Sequence, residues 1–111
     1  EERFEDSLIL FERFLENYPD SPLSASVIIA KGNAYEGLGE TKKAARAYLN
    51  SFSLYGESPA APEALTLLGN ALVSLGQTDA GCQTLAQVLM RFSDSDYSLE
   101  AEKMMSELQC P

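Results

Sequence analysis

A chain of 111 residues, 45% hydrophobic and 23% charged, can bury a modest core as one domain and is too apolar to remain disordered. Its net charge is −9 and histidine is absent, which removes the commonest general base, the usual metal ligand and every Ser-His or Cys-His dyad. So acidic a surface repels phosphate backbones and anionic membranes, and no apolar run approaches the roughly 18 residues of a membrane span. A non-catalytic chain without metal or cofactor, and with neither nucleic acid nor membrane as partner, is the expectation.

The opening Glu1-Glu2-Arg3-Phe4 has the features of neither a signal peptide nor a native start, so the chain is expected to be part of something longer. Phe4, Leu8, Phe11, Leu15 and Tyr18 recur at spacings of three and four, one stripe of a helix ending near Tyr18-Pro19. Leu10 and Phe14 widen that stripe beyond what one neighbour covers. A preceding helix is therefore expected to be missing, and the fragment to self-associate through the bare face. Glu1, Glu2, Glu5 and Asp6 crowd the start of this helix, where they suit its dipole better than they suit a metal.

Asp20-Ser21-Pro22 reads as a turn and cap, and a second helix runs from it to about Leu38, where Gly39 supplies a left-handed stop. Glu40-Thr41 opens a third helix through Ala44, Ala47, Tyr48, Phe52 and Tyr55. Ser58-Pro59 restarts the cycle. A fourth helix covers about Ala60 to Leu75, Gly76 stops it, and Thr78 caps a fifth through Leu85, Val88, Leu89 and Phe92. Asp94-Ser95-Asp96 leads into a sixth from about Tyr97 to Gln109. No segment alternates like a strand, and the short connections make consecutive helices antiparallel.

These helices are one unit rewritten. Gly32-Asn33-Ala34-Tyr35-Glu36-Gly37-Leu38-Gly39 returns as Gly69-Asn70-Ala71-Leu72-Val73-Ser74-Leu75-Gly76, an offset of 37 residues shared by Tyr18, Tyr55 and Phe92. A period of this size signals a solenoid. Gly37-Leu38-Gly39 is followed by Glu40 instead of a lysine and hydroxyl, so it is no phosphate loop.

Gly32, Tyr35, Gly39, Ala44, Tyr48 and Ser51, with the Tyr18-Pro19 junction, resemble the tetratricopeptide pattern of small residues at helix crossings, an aromatic in the groove and glycine at the turn. Gly69, Gly76, Gly81 and Leu85 take the same places in the next unit. Lys31 stands where leucine is usual, Leu72 replaces Tyr35, and Gly56 and Ser93 replace the junction proline. The resemblance implies an all-α, right-handed superhelix, an α-solenoid of about six antiparallel helices. Residues 1–19 would be the second helix of a truncated repeat, 22–56 and 59–93 full repeats, and 96–109 a capping helix. Stability shared between neighbouring repeats tolerates the individual lapses.

The lengthened unit, the junctions Tyr18-Pro19-Asp20-Ser21-Pro22 and Tyr55-Gly56-Glu57-Ser58-Pro59, the segment Ala80-Gly81-Cys82-Gln83-Thr84-Leu85 and the closing Cys110 are similar to a narrower family. It comprises the C-terminal domains of the cell division coordinators of the Tol-Pal system. That resemblance implies a periplasmic location after a signal peptide, and a trimerising N-terminal coiled coil. It implies binding to TolA, with a peptidoglycan synthase as a further partner, and coordination of outer-membrane constriction with septal peptidoglycan synthesis. A scaffold subunit of outer-membrane protein assembly, or a regulatory repeat domain of a larger enzyme, is the alternative.

In this repeat class the first helix of each pair lines the concave side, which would present Ser26, Ile29, Asn33 and Glu36 from one unit and Glu63, Thr66, Asn70 and Val73 from the next. The amides of Asn33 and Asn70, in register, could bind a partner backbone whatever its side chains; equally, both could be residues of a solvated helix face. Ile29, Ala30, Thr66 and Leu67 occupy places where some relatives carry the cations of a carboxylate clamp, so no clamp is expected. Cys82 and Cys110 would lie about one turn apart in height on an antiparallel hairpin, which leaves open a bridge or two separate thiols. The periplasmic location implied by the resemblance favours the bridge.

Overall fold

The computed structural model describes residues 2–111; Glu1, and with it part of the acidic cluster, lies outside the described residues. Among the described residues the chain is all-helical: α1 (Glu2–Asn17), α2 (Ser24–Gly37), α3 (Thr41–Leu54), α4 (Ala61–Ser74), α5 (Thr78–Arg91) and α6 (Asp96–Leu108). Each helix packs on the next, and α4 also touches α6, which is the stacking of an α-solenoid. The molecule is accordingly elongated, 42 × 28 × 18 Å. No described helix is long and apolar enough to cross a membrane.

The 37-residue period is written into the hydrogen bonds that start the helices. Ser21, Ser58 and Ser95 accept through Oγ from the amides of Leu23, Ala60 and Tyr97, at 3.0, 3.1 and 3.1 Å. Their carbonyls accept in turn from Ser24, Ala61 and Ser98 at 3.1, 3.0 and 3.0 Å. Each turn thereby satisfies donors that a bare helix start leaves unpaired. At the opposite ends Gly39 and Gly76 adopt φ of +77° and +84°. That conformation lets Glu40 donate to Tyr35 O and Gln77 to Leu72 O, both at 2.9 Å.

The fifth helix begins differently from the sequence expectation. The residue ahead of α5 is Gln77, no side chain caps it, and Thr78 already belongs to the first turn. The glycine turn feeds the chain straight into the ladder, with the Gly81 amide donating to Gln77 O at 2.9 Å.

The core runs through the middle of the stack. Ala44, Tyr48, Ala64, Leu85, Val88 and Ala101 are wholly inaccessible, joining α3, α4, α5 and α6. Burying side chains the size of Leu85 and Val88 stabilises the fold by about 1.5–3 kcal/mol each. The helices approach closely because the crossing residues are small. A Cβ on Gly32 would sit 2.5 Å from Tyr48 Cε1, and one on Gly69 2.8 Å from Leu85 Cδ2. Ser51, also at a crossing, donates to Ala25 O at 3.0 Å, so its hydroxyl is satisfied in the interior. Between the repeats Phe52 meets Phe92 edge to face at 6.3 Å.

The two ends are held by different means. At the N-terminal end Phe4 lies against Gly37, and Lys31, which stands where an apolar residue is usual, forms an ion pair with Glu12 across α1 and α2. At the C-terminal end Gln109 turns left-handed, at φ 57°, and sends Cys110 back toward α5. There its sulfur is bonded to that of Cys82, with Cα atoms 5.7 Å apart.

Candidate functional site

The helices expected to line the groove are α2, α4 and α6, and polar residues recur along them. The first is Asn33, an exposed residue of α2. The buried ring of Tyr48 rises from α3 beside it, and its hydroxyl is within 2.7 Å of Asn33 Oδ1 and 3.1 Å of Glu36 Oε2, shared between two acceptors. Burial first, then the charge and hydrogen bond of Glu36, hold this hydroxyl well above the ordinary phenol range, and Glu63 adds to the effect. Tyr48 is therefore a fixed proton donor at any physiological pH. With Oδ1 engaged, the amide nitrogen of Asn33 keeps its two protons for an outside acceptor.

Glu63 links this group to the next. Tyr97, at the start of α6, is likewise raised, by burial first and then by the nearby charge of Glu63, with Glu100 and Asp96 adding to it. Glu63 and Glu100 are one period apart in the repeat, so successive groove helices present a carboxylate at one height. The result is a row of polar groups on three helices, Asn33 and Glu36 of α2, Glu63 of α4, and Tyr97 and Glu100 of α6, with the buried Tyr48 hydroxyl of α3 behind its first two members. A row of this kind suits a polypeptide, whose backbone offers amides and carbonyls and whose cations meet the carboxylates.

The expected groove residues divide. Ser26, Asn33, Glu36 and Asn70 are exposed and Glu63 is half-buried. Ile29 and Thr66 are corrected: they are only 3% and 1% accessible and cannot line an open groove. They hold the same repeat position, which falls on the seam with the neighbouring helices. Ile29 joins the core there, and Thr66 donates its hydroxyl back to Pro62 O at 2.8 Å. Val73 is half-buried, its Cγ2 filling the space that a Cβ on Gly81 would need.

Nor are the two asparagines equivalent. The counterpart of Tyr48 in the second repeat is Leu85, which has no hydroxyl to offer Asn70. Sequence reasoning placed Tyr48 in the core pattern and passed over its hydroxyl, and it passed over Tyr97 and Glu100. The signal was present in the 37-residue register, which sets Glu100 at the place of Glu63. The open hollows elsewhere include one of about 370 Å³ at the Ser21, Pro22, Tyr55 and Pro59 junction, one of about 400 Å³ beside Cys82, Met105 and Pro111, and one of about 440 Å³ at Gly39, Thr41 and Leu75.

Against this geometry stand the comparisons with known proteins. None of the curated proteins matches the chain. A family model, that of the tetratricopeptide repeat, matches residues 63–95, from the first turn of α4 through α5 to Ser95. Repeats of this family generally mediate protein–protein interaction and catalyse nothing themselves. The match and the six stacked helices together support reading the chain as tetratricopeptide repeats.

Proposed function

We propose that the chain is a non-catalytic protein-interaction module of the cell envelope, which takes a segment of a TolA-like partner along the groove of α2, α4 and α6. The polar row along α2, α4 and α6 carries this reading: Asn33, Glu36 and Glu100 are exposed, and the buried Tyr48 hydroxyl, by engaging Asn33 Oδ1 and Glu36 Oε2, leaves the Asn33 amide protons for a partner. Through that contact the module coordinates outer-membrane constriction with septal peptidoglycan synthesis, where a peptidoglycan synthase is a further partner. The junction sequences and the Cys82–Cys110 bond support a periplasmic site of action, since disulfides persist in oxidising compartments.

Calorimetric titration with the periplasmic part of TolA tests the proposal. Glu100→Ala is the informative variant, because Glu100 belongs to the polar row and is exposed. Binding should weaken by about 1–3 kcal/mol without loss of melting temperature. Absence of binding by the wild-type domain, or equal binding by the variant, would count against this groove and this partner.

A further inference from the structure

A hollow between α2 and α3 is lined by Lys31, Tyr35, Lys43, Arg46, Ala47 and Asn50. On α2, Lys31 lies about 200° round the helix from Asn33, so this hollow and the polar row are on different sides. The chain has a net charge of −9 and only eight bases. Three of them line this one hollow, and Lys42 stands next to it. Lys43 Nζ lies 5.8 Å from the centre of the Tyr35 ring, which holds the ammonium at the wall of the hollow.

The fold gains nothing from this gathering. Lys42 and Lys43 occupy the first turn of α3, which contains no acid, and the positive end of a helix dipole disfavours cations there. Lys43 and Arg46, three residues apart, share a face of α3 and repel each other. In the second repeat the places of Lys31, Lys42, Lys43, Arg46 and Asn50 are taken by Leu68, Asp79, Ala80, Gln83 and Gln87, yet α4 and α5 pack as closely as α2 and α3. Internal pairing does not use up the charge either. Lys31 pairs with Glu12, and Lys43 with Glu40 at 3.2 Å, but among the described residues no carboxylate pairs with the exposed Arg46. Each ammonium has three protons, so both lysines keep donors beyond those pairs.

Size and surroundings select the occupant. A volume of about 180 Å³ is below the roughly 300–1,000 Å³ of small-molecule sites and suits a single acidic side chain. The acidic remainder of the surface repels polyanions such as nucleic acid. Lys43 also borders the hollow of about 440 Å³ that contains Lys42 and the half-buried Leu75, so the two hollows form one surface.

We propose that this surface binds an acidic segment of a partner polypeptide. One carboxylate is held by the Arg46 guanidinium between Lys31 and Lys43, an adjacent acid meets Lys42, and an apolar side chain beside them rests on Leu75.

NMR titration of the isotope-labelled chain with acetyl-Gly-Glu-Glu-Leu-Gly-amide, up to about 5 mM, tests this. The amide signals of Tyr35, Lys43, Arg46 and Asn50 should shift together, while those of Asn33 and Glu100 stay in place. The same peptide with glutamine for both glutamates should leave all of them unmoved. Arg46→Glu, at an exposed position, should weaken binding about tenfold or more with an unchanged melting curve. Lys103→Glu changes the net charge equally on α6 and should bind like the wild type. No shifts with the acidic peptide, equal shifts with the glutamine peptide, or equal binding by Arg46→Glu and Lys103→Glu overturns the site. Sodium phosphate that produces the same shifts at the same concentration overturns its assignment to a polypeptide.

Discussion

Tyr48 shows how one residue can serve fold and groove together. Its ring fills the crossing opposite Gly32, and its hydroxyl fixes Asn33 and Glu36 at the surface. Tyr48→Phe should keep the ring in place and lose about 0.5–1.5 kcal/mol through the shared hydrogen bond, read as a lower denaturation midpoint. Gly32→Ala should cost more, about 1–3 kcal/mol, because the new Cβ meets a buried aromatic ring that has no room to retreat. The raised pKa of Tyr48 also fixes a pH dependence. Folding favours the protonated phenol, so its contribution is complete below the unfolded value of about 10 and declines as pH rises above that. Stability of the wild type should therefore fall more steeply than that of Tyr48→Phe above about pH 10, as followed by urea unfolding at a series of pH values.

At the scale of elements, the helix ends are governed by a few local groups. The serine turns and the glycine stops are legible from sequence because a capping bond spans only two or three residues and needs a particular side chain. Ser58→Ala removes the acceptor for the Ala60 amide at the start of α4 and should cost about 0.5–2 kcal/mol in thermal or chemical unfolding. The sixth helix depends on a different kind of restraint. It packs on α5 and α4 along one side only, and the Cys82–Cys110 bond closes a loop across 28 positions of sequence. Replacing both cysteines by serine should lower stability by about 3–4 kcal/mol, and thiol labelling of the denatured, unreduced protein should find neither cysteine free.

At the scale of the whole molecule, the period, the helix order and the small residues at the crossings follow from the sequence alone. They rest on local rules repeated every 37 residues, and the all-helical solenoid is their sum. Accessibility in the groove is not of that kind. Asn33 and Asn70 look identical along the chain, yet one receives a hydroxyl from a residue 15 positions away and the other faces a leucine at the same place. Ile29 and Thr66 share a position that the resemblance to tetratricopeptide repeats assigns to the groove side, and the closeness of neighbouring helices, permitted by glycine and alanine, draws it into the core. Only the tertiary structure decides such matters, because burial depends on the size of side chains brought alongside from other helices. For the same reason Glu63 acquires its setting between Tyr48 and Tyr97 when α3, α4 and α6 come together, although nothing near it in sequence distinguishes it from any carboxylate on a solvated helix.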